Sequence, residues 1–185
     1  GTPIYLSRTT NFTVTNNSGG TINGRASTGV SFSRSTSPTV TNNSGGTITT
    51  TGDYAVNFSR SSNITLTNGG TISAGDDYTV HIGDTTGNNR ITNTGTISAS
   101  DDSAIYADEA NNVTVTNSGT ISSGDNYGVN LNSATGTTSV TNNSGATISA
   151  TDNYAVDFSG AADIDVTNAG TISAGADSAI YLTNS

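Results

Sequence analysis

The chain contains no cysteine, methionine, tryptophan or lysine, and five arginines face fourteen acidic residues. Without cysteine no disulfide can form, so cysteine content does not indicate whether the protein works in an oxidising or a reducing compartment. With a net charge of −9 and no basic cluster, the sequence argues against nucleic-acid binding. No apolar run approaches the roughly 20 residues of a membrane span. We therefore expect no membrane span in this segment.

Both apolar and charged residues are scarce. Apolar residues make up 31% of the chain, which is low for a globular core, and charged residues only 10%, which is low for a disordered chain. Ser, Thr, Gly and Asn fill the difference, which suits a repeat protein whose units bury a few side chains against their neighbours. No signal peptide is visible and the chain starts at Gly1 without Met, which predicts a processed or excised segment.

One unit recurs seven times and accounts for nearly the whole sequence. Its pattern is Val-Thr-Asn-Asn-Ser-Gly-Gly-Thr-Ile, and its isoleucine returns every 24 to 27 residues. Two further apolar positions follow each isoleucine at fixed offsets of 8 and 10 residues. The copies, four of them two residues shorter than the others, are 14–22, 40–48, 66–72, 91–97, 115–121, 140–148 and 166–172.

Each repeat holds three short segments of alternating apolar and polar residues, separated by Gly, Asn, Asp or Ser, which indicates β-strands. Three strands in about 25 residues predict one turn of a parallel β-helix. We predict an all-β, right-handed parallel β-helix (β-solenoid) of seven coils, roughly 34 Å long. It forms one domain over 1–185, with a partial coil at 1–11 and seven repeats at 12–185.

An asparagine follows the first strand in every repeat. At a corner, its amide can bond the turn backbone and the asparagine of the next coil. We predict a structural asparagine ladder at Asn16, Asn42, Asn68, Asn93, Asn117, Asn142 and Asn168.

An unbroken row of threonines faces outward on the second strand, beside a row of Ser, Thr and Asn. The row reflects either strand propensity with solubility, or a flat hydroxyl face that binds ice or a glycan. Its members are Thr21, Thr47, Thr71, Thr96, Thr120, Thr147 and Thr171.

The corner before the third strand is acidic or amidic, and tyrosines follow it. Stacked carboxylates repel unless they are solvated or bridged, so calcium is a weak candidate cofactor at Asp76, Asp77, Asp101 and Asp102. Turn chemistry is the alternative, and no dedicated cofactor is predicted. Tyr54, Tyr78, Tyr127 and Tyr154 are expected to cover the core, and His81 to lie exposed on the outward side of its strand.

Catalysis finds little support in the sequence. Parallel β-helices include polysaccharide lyases and hydrolases, which need a positioned carboxylate pair. Here the acids recur once per coil, as expected of turns, and the chain has a single histidine. We therefore predict that the chain is not an enzyme. A polysaccharide-active enzyme is a distant third hypothesis, after a structural or adhesive fibre and an ice- or glycan-binding solenoid.

The repeat Val-Thr-Asn-Ser-Gly-Thr-Ile at 115–121, followed by Tyr-Gly-Val-Asn-Leu at 127–131, resembles those of bacterial autotransporter passengers and related large exoproteins. The resemblance covers residues 12–182. It implies a secreted, right-handed β-helical stalk, often adhesive, at the bacterial cell surface. It carries over no catalytic residue.

Charge is distributed unevenly along the sequence. All five arginines lie in the first half, no acid precedes Asp53, and ten acids but no base follow from Asp101 onward. We therefore predict an extracellular structural or adhesive fibre that joins copies of itself head-to-tail, or that continues within a longer chain, with a host or matrix surface as a further partner. The expected end contacts are Ile4, Tyr5, Leu6, Arg8, Ile180, Tyr181 and Leu182.

Overall fold

A computed structural model describes residues 1–183. Within that range the chain is all β-strand and turn, arranged as three parallel sheets that stack into a solenoid of about seven coils with about 25 residues each. The predicted all-β solenoid is confirmed, and its right-handed sense stays a prediction from coil length. The last two residues of the predicted repeat region 12–185 lie outside the described residues.

Every coil contributes one strand to each sheet, in the same chain order. The first sheet has eight strands because one comes from the partial coil before the first repeat. They are β1 (Ile4–Ser7), β4 (Val30–Ser33), β7 (Val56–Ser59), β10 (Val80–Gly83), β13 (Ile105–Asp108), β16 (Val129–Asn130), β19 (Val156–Asp157) and β22 (Ile180–Tyr181).

The other two sheets have seven strands each. The second sheet contains β2 (Thr13–Asn16), β5 (Thr39–Asn42), β8 (Thr65–Asn68), β11 (Asn89–Asn93), β14 (Val113–Asn117), β17 (Thr138–Asn142) and β20 (Ile164–Asn168). The third contains β3 (Thr21–Asn23), β6 (Thr47–Thr49), β9 (Thr71–Ala74), β12 (Thr96–Ala99), β15 (Thr120–Ser123), β18 (Thr147–Ala150) and β21 (Thr171–Ala174).

The strands pair in register, so equivalent residues of successive coils stack on one another. Val30 pairs with Val56, for example, and Val56 with Val80. Period-2 alternation then sends every second side chain of each strand into the interior. The repeat therefore produces continuous apolar columns parallel to the axis.

The interior is filled by these columns. Ile48, Ile72 and Ile97 are fully buried in the third sheet, and the rings of Phe32 and Phe58 stack with centroids 5.7 Å apart. In the outermost coils of the described residues the columns are less covered, and Ile22 and Ile172 are only half-buried.

The turn between the second and third sheets has a short and a long form. In the long form an extra pair of residues forms a tight turn whose glycine has a positive φ, as at Gly45 (77°), and the amide of Gly46 donates to the carbonyl of Asn43 at 2.8 Å. In both forms the preceding asparagine keeps its place. The two-residue difference therefore changes the outer loop and leaves the strand register intact.

Candidate functional site

The asparagine ladder runs without a break through the corner between the second and third sheets. Each side-chain amide donates to the Oδ1 of the asparagine in the next coil, over distances of 2.8 to 2.9 Å. The same nitrogen also reaches backbone carbonyls, as Asn42 does with Gly46 and Thr71. Asn42 and Asn93 are fully buried, whereas Asn168 at the end of the rod is exposed.

These bonds give the ladder a structural role. Every internal member donates to and accepts from a neighbour, so its buried polar atoms are satisfied. Chains of amide bonds in a low-dielectric interior also reinforce each other. None of the internal ladder side chains is free to contact a ligand.

The hydroxyl face lies on the outside of the third sheet. Strand pairing sets Thr21 against Thr47 and Thr47 against Thr71, and the same register continues to Thr171. The neighbouring row is linked by a 3.0 Å hydrogen bond between Thr49 and Ser73. The result is a regular two-row array of half-buried to exposed hydroxyl groups.

The acidic corner precedes the first-sheet strands. Desolvation raises the pKa of Asp77, with further upward contributions from the charges of Asp102 and Asp53. Partial desolvation and a hydrogen bond with Asp152 raise the pKa of Asp125. Carboxylates of successive coils therefore face one another across this corner.

The predicted calcium residues do not assemble into a ligand cluster. Among residues 1–183, no three side chains of the His, Cys, Asp or Glu type come close enough to hold a metal ion together. Two of the four side chains bond their own turns: Asp77 accepts the amide of Tyr78 at 3.0 Å, and Asp102 accepts the amide of Ser103 at 2.8 Å. Such bonds between an aspartate and the following backbone are typical of turns.

An aromatic column follows this corner along the outside of the first sheet. The ring of Tyr78 stacks on Tyr54 (6.1 Å between centroids) and on Tyr106 (4.2 Å). A second stack runs from Tyr127 through Tyr154 to Tyr181. The tyrosines thus lie half-buried against each other on the outside of the first sheet. Burial and the neighbouring Asp77 carboxylate raise the pKa of Tyr54 to about 12.

His81 sits inside the first stack, which corrects the expectation that it lies exposed. Its ring lies 4.9 Å from Tyr54 and 5.7 Å from Tyr106, and its Nδ1 lies 3.0 Å from Asn57 Oδ1. Gly83 leaves the space that the imidazole fills, because a Cβ there would lie 2.6 Å from His81 Cε1. Burial lowers the pKa of His81, although Asp108 and Asp84 act in the opposite direction.

The predicted end contacts fall at the two ends of the first sheet. In β1, Ile4 and Leu6 are half-buried and Tyr5 is 62% exposed, whereas Leu182 at the other end is 54% exposed. Ile180 and Tyr181 form β22, the outermost strand there. The contacts are thus brought to opposite ends of the rod and never meet within one chain.

A polar cleft of about 290 Å³ opens where the chain enters the second sheet, lined by Asn88, Asn89, Arg90, Asn112, Thr114 and Thr137. Two coils carry an extra glycine here, and the Oδ1 atom of Asn112 accepts the backbone amide of Thr137 at 3.0 Å across the cleft. The cleft therefore follows from these coil insertions.

A stack of three arginines was not predicted from the sequence. Arg8, Arg34 and Arg60 stack at one corner, between the first and second sheets, because each directly follows a first-sheet strand. The signal in the sequence is a triplet, Ser-Arg-Thr or Ser-Arg-Ser, that recurs three times at 26-residue spacing.

Comparison with known proteins gives one match. The family profile of the BigA third pectate lyase-like domain matches residues 62–184, well over half of the chain. No curated protein and no solved structure matches the chain. Within the described residues, the chain forms no helix with the length and apolar character needed to cross a membrane.

Proposed function

Because the chain belongs to the family of the BigA third pectate lyase-like domain, a β-helix domain of bacterial surface proteins, we propose that it is a non-enzymatic stalk module outside the cell. The observation that carries this proposal is the unbroken in-register pairing of all three sheets over the described length. Such a rod holds whatever it joins at a fixed distance and direction.

The filled interior supports the stalk role. Each coil contacts its neighbours through three strands, a ladder asparagine and several buried apolar side chains, so coils add stability in a nearly one-dimensional way. Length then scales with coil number. Inserting four further copies of residues 91–114 should lengthen the particle by roughly 19 Å, measured by small-angle X-ray scattering. An unchanged maximum dimension, or loss of β structure, would reject a coil-by-coil rod.

The absence of catalysis is part of the same proposal. The acidic corner repeats in successive coils and caps turns, which supports a structural use of these carboxylates. Incubation with polygalacturonate and other acidic polysaccharides should release no unsaturated or reducing ends above the buffer control. Turnover of such a polysaccharide that disappears in Asp77→Asn, while the fold is retained, would contradict the proposal that the chain is not an enzyme.

End-to-end contact extends the proposal to filaments. Unpaired strand edges at both ends accept another coil, either from adjoining residues of a longer polypeptide or from a second copy. The arginines near one end and the acids near the other favour head-to-tail contact that salt screens. Electron microscopy at low and high salt tests this: filaments at low salt support self-assembly, and single rods at every salt concentration reject it.

The hydroxyl face supports a second candidate function, binding of ice. The favouring observation is that every threonine of the outer row pairs with a threonine in the adjacent coil, which gives a flat and regular array. Thermal hysteresis by the purified chain, reduced in Thr96→Lys, would support this candidate. If no thermal hysteresis is measured, strand propensity and solubility explain the threonine row.

A further inference from the structure

One corner of the solenoid has a left-handed backbone in every coil that reaches it. It lies four residues after the first residue of each first-sheet strand, and its φ values run from 49 to 68°. The fold therefore sets this conformation, which suits Gly, Asn and Asp and is strained for other residues. In chain order the corner residues are Arg8, Arg34, Arg60, Asp84, Glu109, Ser133 and Gly160.

The first three members, Arg8, Arg34 and Arg60, form the arginine column. The amide of Arg8 donates to Ser33 O and the amide of Arg34 to Ser59 O, both at 2.9 Å. These bonds hold the corner backbone at the coil spacing. The column therefore spans two coil steps, roughly 10 Å, parallel to the axis.

Buried hydroxyl groups brace this corner from inside. The residue after each arginine is Thr9, Ser35 or Ser61. Thr9 Oγ1 donates to Ser35 Oγ at 3.0 Å, and the amide of Ser35 donates to Ser61 Oγ at 3.1 Å. The arginine backbones are therefore held by hydrogen bonds, while the guanidinium groups project into solvent.

The charges of the column are largely unopposed. Arg60 Nε lies 3.5 Å from Asp84 Oδ2, and this is the one ion pair formed within residues 1–183. Arg8 and Arg34 are exposed, and no acid precedes Asp53 in the sequence.

We propose that the arginine column binds a sulfated polysaccharide whose chain lies along the rod axis. Three exposed guanidinium groups follow one another in successive coils, so positive charge is concentrated along one line of the rod. A guanidinium presents a planar fork of donors that matches an oxoanion, and three in line meet successive sulfate groups of one polymer. This role goes beyond the stalk, because a rod that binds no sulfate still spans distance.

The surroundings favour a sulfated glycan over nucleic acid. Single-stranded nucleic acid is held by aromatic platforms beside a basic groove. The tyrosine column instead lies at the opposite end of the first-sheet strands, among carboxylates such as Asp77 and Asp102. A polysaccharide needs no stacking platform, and the extracellular location proposed for the stalk would expose the column to such polymers.

Binding of the purified chain to heparin, measured by titration calorimetry at several salt concentrations, tests the proposal. Arg34→Asn should weaken binding at least fivefold, because asparagine tolerates the left-handed backbone but removes the charge. Arg25→Asn is the matched control. Arg25 is also exposed with φ 56°, but it lies at another corner and should change binding less than twofold.

Two further variants sharpen the test. The triple variant Arg8→Asn/Arg34→Asn/Arg60→Asn should lower the slope of log affinity against log salt by roughly 0.7–0.9 per arginine, the range known for phosphate polyanions. Asp84→Asn should strengthen binding about threefold, because it frees Arg60 from an exposed ion pair. Circular dichroism of each variant establishes that the fold is retained.

Several outcomes would overturn the proposal. Equal binding to chemically desulfated heparin would show that sulfate groups are not recognised. Equal losses of heparin affinity in Arg34→Asn and Arg25→Asn would show that binding depends on net charge alone. Tighter binding to double-stranded DNA with the same dependence on Arg34 would assign the column to nucleic acid. A dimer that forms without polyanion and competes with heparin would assign it to a second copy.

Discussion

Two corners of the solenoid differ in how tightly the fold dictates their residues. At the asparagine corner the residue is the same in all seven coils, and its side chain is bonded to both neighbours. At the arginine corner the backbone is equally constant, but the residue changes from arginine through acid to serine and glycine. Where conformation and identity are both fixed, the residue serves architecture. Where only the conformation is fixed, the side chain is available for function.

The contrast extends to the layer beneath each corner. The asparagine corner has the same buried amide chain throughout. Beneath the arginine corner, the first coils use the hydroxyl groups of Ser35 and Ser61, whereas later coils have Ala110 and Ala134 at that position. The first half of the rod thus holds its corner with hydrogen bonds, and the second half holds it with apolar contacts.

Removing a ladder asparagine should cause the largest loss. Asn93→Ala removes one acceptor of the Asn68 side-chain amide and one donor to Asn117 Oδ1, and it breaks the ladder between these two residues. We expect the free energy of unfolding to fall by about 3 kcal/mol, because several buried hydrogen bonds made by Asn93 are lost at once.

Urea denaturation followed by circular dichroism checks this expectation. The control is Asn168→Ala, at the exposed end of the same ladder, where less than about 1 kcal/mol should be lost. Equal losses at the two positions would show that the ladder does not act as a buried network.

A glycine next to the arginine corner should matter almost as much. Gly87 has φ 73°, and a Cβ there would overlap Oδ1 of the Asn63 side chain. Gly87→Ala should lower the free energy of unfolding by about 2 kcal/mol, from backbone strain plus steric overlap.

Gly145→Ala separates these two contributions. Gly145 has φ 79° but open space around the added Cβ, so only the backbone strain remains and about 1 kcal/mol should be lost. If Gly145→Ala destabilises the chain as much as Gly87→Ala, the overlap with Asn63 is not significant.

The aromatic column predicts a smaller, pH-dependent effect. His81 is the only histidine, and burial lowers its pKa below the usual 6.5. The unfolded chain therefore binds this proton more tightly, so the histidine's contribution to stability is complete above pH 6.5 and falls as the pH drops below it. The raised pKa of Asp77 acts in the opposite sense at lower pH.

NMR titration of the single imidazole measures this pKa directly. The comparison of unfolding midpoints between the chain and His81→Asn isolates its share of the pH dependence. A histidine pKa above 6.5 in the folded chain would contradict the buried, stacked position between Tyr54 and Tyr106.

The fold could be predicted from the sequence because its signals are local and repeated. The isoleucine period gives the coil, and the fixed offsets to Val56 and Phe58 give the strand that follows it. The invariant place of Asn42 in the repeat gives the corner. Alternation assigns a side chain to the inside or outside, and parallel pairing then repeats that assignment in every coil.

The surface features were harder to predict, for a physical reason. Tyr78 and Tyr106 come from different positions of the repeat in successive coils, yet their rings meet on the outside of the first sheet. The stack formed in this way half-buries His81, which alternation alone places in solvent. The left-handed backbone at Arg34 is set by closure of the coil and leaves no trace in hydrophobic periodicity.

Arginine at this corner combines the proposed binding role with a cost in stability, because its backbone is left-handed. The most direct measurement compares urea midpoint and heparin affinity in the double variant Arg34→Gly/Arg60→Gly. Glycine relieves the left-handed strain, so the free energy of unfolding should rise by about 1 kcal/mol while heparin binding is lost. A lower midpoint together with unchanged heparin binding would contradict the account.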